Sequence, residues 1–253
     1  MGLMDGRAGL VTGASAGLGR AMARAFAAEG ASVVVSDIDE PGGAETVRLI
    51  EEDGGTASFA RADTTSEEQV AALVGTVVER YGQLDWAVNN AGLGAPSHPV
   101  AEQRAEWWDR VLSVDVLGVL FGLKHQIIQM TGQGGGGAIV NTASTAGLTG
   151  QYGLSPYVSA KWAVIGLTKT AALEYAKAGV RVNAICPGMT MTPAVRRWTE
   201  EVPEQAAMVA ERIPMGRIGE PDDQAQAALW LCSPRSAYIT GVALPVDGGD
   251  TID

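Results

Sequence analysis

Cysteine, histidine and positive charge are what this chain of 253 residues has least of. Its two cysteines, Cys186 and Cys232, and two histidines, His98 and His125, stand far apart with no C-x-x-C companion. That spacing offers no metal-ligand cluster, so no metal is expected. Two thiols in a chain of this size make no disulfide framework, so the expected setting is reducing and cytoplasmic. Lysine and arginine total 18 against 29 acidic residues, a formal net charge of −11. Such a balance repels phosphate backbones and anionic membrane surfaces, and argues against nucleic acid as a partner. The N-terminal MGLMDGRAGLVTG lacks the basic-then-apolar order of a secretory signal, and Gly6 stands where myristoylation needs Ser or Thr. No run approaches the length needed to span a bilayer, so no membrane association is expected.

What is present is apolar sequence, 46% of residues, enough for one sizeable core. Short apolar runs alternate with longer amphipathic segments up to about residue 185, the rhythm of βαβ units and a parallel sheet. The expected strands are 8–12, 32–36, 56–62, 85–89, 138–142, 180–186 and 242–246. Several are continuously apolar, as expected where helices cover both faces. Gly30, Gly82 and Gly179 mark helix ends that need a left-handed residue, and Ser66 with Gln69 signals a capping box. The glycine run at 132–137 reads as a loop into the fifth strand. From 188 to 220 the rhythm breaks around several prolines, which suggests a lid within the one domain that spans 1–253.

The first strand runs into TGASAGLG, residues 12–19, and then an Ala-rich helix. Gly13, Gly17 and Gly19 there allow a tight turn, close approach to a pyrophosphate and helix-on-strand packing. The spacing is not G-x-G-x-x-G, so a plain strand-to-helix turn stays open on this stretch alone. Asp37 closes the second strand, 18 residues after Gly19. A carboxylate there accepts from ribose hydroxyls and repels a 2′-phosphate, which favours NAD over NADP; a capping role is the alternative. In SPYVSAKWA, Tyr157 and Lys161 are four apart, hence on one face of a helix. Spacing alone does not decide between an acid with its activator and a surface contact.

Taken together, TGASAGLG, NNAG at 89–92, NTAS at 141–144, YVSAK, PGMTMT and ITGVALPVDGG resemble the classical short-chain dehydrogenase/reductase family over almost the whole chain. The resemblance implies a single-domain Rossmann fold, a doubly wound seven-stranded parallel sheet with helices on both faces. It implies a cofactor site of NAD formed by the loop residues Gly13, Ser15, Gly17, Leu18 and Gly19, with Asp37 and Ile38 at the adenosine ribose. Asp63 and Thr64 would meet the adenine; Asn90, Ala91 and Gly92 would line the ribose and nicotinamide side. Pro187, Gly188, Thr190 and Thr192 would hold the carboxamide end, and Tyr157 and Lys161 would also touch the cofactor.

By the same resemblance the catalytic residues are Ser144, Tyr157 and Lys161: Tyr157 exchanges a proton with the substrate oxygen, Ser144 binds that oxygen, and Lys161 favours the phenolate. Asp115 stands where the family commonly has Asn, and is included as a catalytic candidate; an ionised Asp accepts but cannot donate. The substrate is expected to be a small or medium uncharged secondary alcohol or ketone, cyclic ones included, enclosed by 93–99, 145–154 and the segment after Gly188. Two rivals remain. One is a 3-oxoacyl-carrier-protein-type reductase, disfavoured by the acidic balance unless Arg196, Arg197, Arg212 and Arg217 form a patch. The other is a non-catalytic NAD-sensing protein. A homotetramer is implied by the family. Trp107, Trp108 and Trp230 read as core or subunit contacts, and Trp162 as packing.

Overall fold

In the computed structural model, which describes residues 2–252, seven strands form one parallel sheet; Met1 and Asp253 lie outside the described residues. The strands are β1 (Ala8–Thr12), β2 (Ser32–Asp37), β3 (Thr56–Arg61), β4 (Trp86–Asn89), β5 (Gly137–Thr142), β6 (Val180–Pro187) and β7 (Ala243–Val246), in the spatial order β3-β2-β1-β4-β5-β6-β7. Every expected strand is present within a residue at each end. The order reverses direction between β1 and β4, which opens a crevice at the carboxyl ends of those strands.

Successive strand residues face opposite layers. Leu10 and Val34 join one core with Leu73, Leu123, Ile139 and Val164, whereas Val11, Val33 and Val35 join the other with Met22, Phe26, Trp86 and Leu229. Both faces are therefore dry, which is why the strands read as continuous apolar runs. One layer holds α1 (Gly17–Ala28), α2 (Glu40–Glu52) and α9 (Pro221–Cys232). The other holds α3 (Glu67–Tyr81), α4 (Ala105–Leu112), α5 (Gly118–Gly132) and α6 (Ser155–Tyr175). Trp86 is fully buried and stacked on Phe26 with ring centroids 4.1 Å apart; Gly9 lets its indole lie directly on β1, where a Cβ would overlap it.

The left-handed glycines stand as expected, with φ of 88° at Gly30, 85° at Gly82 and 79° at Gly179. The capping box at Ser66 is only half made. Ser66 accepts from Gln69 N at 3.4 Å, but Gln69 Oε1 accepts from Asp63 N at 3.0 Å and so ties the end of β3 to α3.

α4 and α5 are one continuous helix joined by a π turn, Ser113–Leu117. Contrary to the sequence expectation, this helix over Ala105–Gly132 is long and apolar enough by composition to cross a bilayer, with a window of mean hydropathy 1.6. It lies against α3 and α6 and carries the buried Asp115, which faces Lys161 of α6, the features of a core helix. The segment expected to be irregular contains two short helices, α7 (Pro193–Glu201) and α8 (Pro203–Arg212). Each opens on a proline, which is tolerated in a first helical turn but reads in sequence as a break. Trp162 and Trp230 are 54% and 39% exposed, so neither is a core residue of the single chain.

Candidate active site

The glycine loop is held from below by β4. Thr12 Oγ1 accepts from Asn90 N at 3.0 Å and Ala91 N at 3.1 Å, and the Asn90 amide donates to the carbonyls of Thr12 and Gly13 at 3.0 and 3.1 Å. Gly13 has φ of 64° and a Cβ there would lie 2.8 Å from Ala91 Cα; a Cβ on Gly19 would run into Gly13 O. The loop therefore has no room for side chains at these two positions. From the other side, Asp37 Oδ2 accepts from Ser15 N at 3.0 Å. Arg20, just after the loop, is turned inward: it donates to Ser15 O, to Gly42 O at 3.2 Å and to Thr46 Oγ1 at 2.9 Å.

Around this loop lies a cleft of 680 Å³ at the carboxyl ends of β1 and β4. Gly13, Ser15, Gly17, Leu18, Gly19, Asp37 and Ile38 form one side. Asp63, Thr64, Asn90, Ala91, Gly92 and Thr192 complete what the sequence had proposed for it. Asp63 Oδ1 accepts from Thr65 Oγ1 at 2.7 Å and Thr65 N at 2.9 Å, bonds that hold its carboxyl below the usual range despite partial burial. Sequence reasoning missed Arg110, Ser113, Val114 and Pro193, which also line the cleft, and it read Arg197, which lines it too, as one of a solvated pair on a short helical piece in preference to a partner of a carboxylate or phosphate. Their signal is helix phase against a distant wall, which no local pattern carries.

Pro187, Gly188 and Thr190 are not on that cleft's wall; Pro187 ends β6 and the other two follow it. Gly188 packs on Asp247, where a Cβ would lie 2.7 Å from the Asp247 Cβ. Thr190 is buried, donates to Gly188 O at 3.0 Å and accepts from Gln224 Nε2 at 3.3 Å. Its hydroxyl is engaged within the protein.

α6 presents Tyr157 and Lys161 on one face. Lys161 Nζ lies 5.3 Å from the centre of the Tyr157 ring, 3.0 Å from Asp115 Oδ2 and donates to Thr142 O at 3.2 Å. The ammonium also borders Gly92, whose absent Cβ would come within 3.3 Å of Nζ, so the pair adjoins the cleft. Burial acts to lower the Lys161 ammonium, but the facing Tyr157 and Asp115 outweigh it and hold it above the ordinary lysine range.

Ser144 opens the turn Thr145–Gly147 and caps it, its hydroxyl accepting from Ala146 N at 3.1 Å. Gly147 sits against the Lys161 carbonyl, with room for no more than hydrogen at a point 2.8 Å from that oxygen, so the serine turn is pressed onto α6 beside the Tyr–Lys pair. Asp115, in the π turn, accepts from Leu93 N at 2.7 Å through Oδ1 and faces Lys161 through Oδ2. Behind the site, Asn89, Gln126, Asn141 and Thr168 form a buried hydrogen-bonded chain that joins β4 and β5 to α5 and α6. A buried polar chain of this kind is stable only when each member is satisfied, and here it fixes the strand ends that carry the site.

A second cavity, of 780 Å³, lies beyond the serine turn, between Thr145, Thr149, Gln151 and Tyr152 on one side and Met189, Arg212 and the C-terminal Asp250 on the other.

The chain and its architecture have close counterparts among known proteins. A family model described as Enoyl-(Acyl carrier protein) reductase matches residues 13–251. The 2,5-dichloro-2,5-cyclohexadiene-1,4-diol dehydrogenase of Sphingobium indicum is 40% identical over 248 residues, 98% of each chain. The cyclohexanol dehydrogenase of an Acinetobacter species is 39% identical over 247 residues, 98% of this chain and 96% of that one. A solved structure from Agrobacterium tumefaciens with bound NADP superposes with a TM-score of 0.90 at 35% identity, covering 99% of this chain and 98% of the other. The chain belongs to the classical short-chain dehydrogenase/reductase family of oxidoreductases.

Proposed function

We propose that this protein is an NAD-dependent dehydrogenase/reductase of a small or medium, uncharged secondary alcohol or ketone, cyclic in the favoured case. The observation that carries the reading is the Tyr157–Lys161 pair on α6, 5.3 Å from ammonium to ring centre, beside Gly92 of the cleft. The residues fit a dinucleotide: a loop without side chains at Gly13 and Gly19, the N-terminus of α1 behind it, and Asp37 at the end of β2. NAD in preference to NADP is supported by the Asp37 carboxylate and by Arg20, which is bound to Ser15, Gly42 and Thr46 instead of facing outward.

When bound, the nicotinamide gives or takes the hydride at the substrate carbon. Tyr157 gives or takes the proton at the substrate oxygen, and the Ser144 hydroxyl donates a hydrogen bond to that oxygen. The buried Lys161 ammonium, 5.3 Å from the centre of the ring, sets a full positive charge beside the group that exchanges the proton. Asp115 acts on the reaction through Lys161, by fixing the ammonium and partly balancing its charge. The segment 188–220, with α7 and α8, is the lid, and the 780 Å³ cavity that its Met189, Arg212 and Pro214 border is the substrate space.

The cyclic substrate class is supported by the names of the diol and cyclohexanol dehydrogenases. Against the carrier-protein reading, two of the four arginines its patch would need are paired, Arg212 with Asp250 and Arg217 with Asp223. A homotetramer belongs to the same reading, with exposed Leu120, Ile128 and Leu173 on α5 and α6 as apolar contact surface.

The test is NADH formation from NAD with a panel of cyclic and linear secondary alcohols, run beside NADP. Turnover with NAD and a cyclic alcohol is expected. Binding of NAD with no turnover of any panel member moves the protein to the NAD-sensing reading, and faster turnover with NADP rejects the cofactor assignment.

A further inference from the structure

The lid carries one arginine whose position the substrate reading does not use. α7 is capped by the Thr192 hydroxyl, which accepts from Val195 N at 3.3 Å. Its first residues rest over the glycine loop: Pro193 Cδ and Thr192 Cγ2 each lie 3.6 Å from where a Cβ on Gly17 would stand. The face of α7 that bears Pro193 therefore looks at that loop. Arg197, four residues on, shares the face, and it lines the same 680 Å³ cleft. Arg196 points elsewhere and is not on the cleft wall.

Among the described residues Arg197 has no ion-pair partner, whereas Arg212 and Arg217, the next basic residues in the chain, are paired with Asp250 and Asp223. The cleft also presents the carboxylates of Asp37 and Asp63, in a chain of net charge −11. An anionic ligand entering here meets repulsion that loop amides and the partial charge of one helix end offset only in part. A guanidinium supplies a full charge and a bidentate donor pair suited to phosphate oxygens. Arg110, the other arginine on the cleft, comes from α4 and is likewise without an ion-pair partner among the described residues, but it is not borne on the helix that rests over the glycine loop.

We propose that Arg197 is a lid-borne clamp for the pyrophosphate of the cofactor, so that holding the phosphates and seating α7 over the glycine loop are one event. The inference rests on the cofactor reading above. Arg197→Gln and, as a control, Arg196→Gln are compared with the unchanged protein by titration calorimetry with ADP and NAD, and with adenosine in competition against NADH. Arg197→Gln is expected to weaken ADP and NAD about tenfold, the loss of one charge-assisted contact, with adenosine changed less than about twofold and Arg196→Gln without effect. Unchanged ADP affinity in Arg197→Gln, or an equal loss for adenosine, overturns the clamp while leaving the cofactor site in place. If the unchanged protein binds neither ADP nor NAD nor NADP, the cofactor reading itself falls.

Discussion

The Asp115 carboxylate and the Lys161 ammonium face each other at 3.0 Å with side chains 0% and 5% exposed, one on the π turn between α4 and α5 and the other on α6. A buried ion pair adds little net stability, yet removing one member strands the other in a low-dielectric interior at a cost of about 3–5 kcal/mol. Asp115→Ala should therefore lower the melting temperature sharply. Asp115→Asn is the informative change, since an amide still accepts from Leu93 N. Without the carboxylate, Lys161 acts on Tyr157 less opposed and itself loses its proton more readily, so the pH profile of kcat/KM should move toward lower pH. An unmoved profile would confine Asp115 to a structural role.

Tyr157→Phe removes the proton carrier and little else. Turnover should fall at least about 100-fold while ADP and NAD affinity stay within a few-fold. Near-normal turnover would reject Tyr157 as the acid–base group.

The glycine loop should respond unequally to alanine. Gly13→Ala meets both a φ of 64° and a Cα of Ala91 at 2.8 Å, whereas Gly17→Ala has a φ of 53° but 3.6 Å of clearance to Thr192 and Pro193. Gly17→Ala should cost the strain alone, about 1–2 kcal/mol, measured by denaturant unfolding. Gly13→Ala should cost more and lose NAD binding as well.

Burial pushes the Cys186 thiol up to about 11 and the Cys232 thiol up to about 12. Lys161 is raised as well. For each group the unfolded chain releases its proton at lower pH than the folded one. The stability they contribute is thus complete below about pH 9 and is lost as pH climbs toward the folded values. The unfolding midpoint should fall between pH 9 and 11, and Cys186→Ala with Cys232→Ala should flatten that fall. In the native state both thiols should resist alkylation at pH 8 and react rapidly after denaturation.

The sequence by itself determined the sheet, because strands dry on both faces must be continuously apolar, and the glycine stops, because φ near 80° at Gly82 and Gly179 excludes most other residues. It also placed Gly13, Asp37, Ser144, Tyr157 and Lys161 at recognisable spacings. What the tertiary structure decided are relations between residues far apart in the chain or dependent on helix phase. Asp115 meets Lys161 from another helix, Asn89 reaches Gln126 and Asn141, and Arg197 turns to the cleft while its neighbour Arg196 does not. The helix α8 was hidden because Pro203 starts it as readily as prolines end others. Local chemistry fixes which conformations a segment can adopt; which charges then face each other is set by packing across the sheet, and no window of sequence contains both partners.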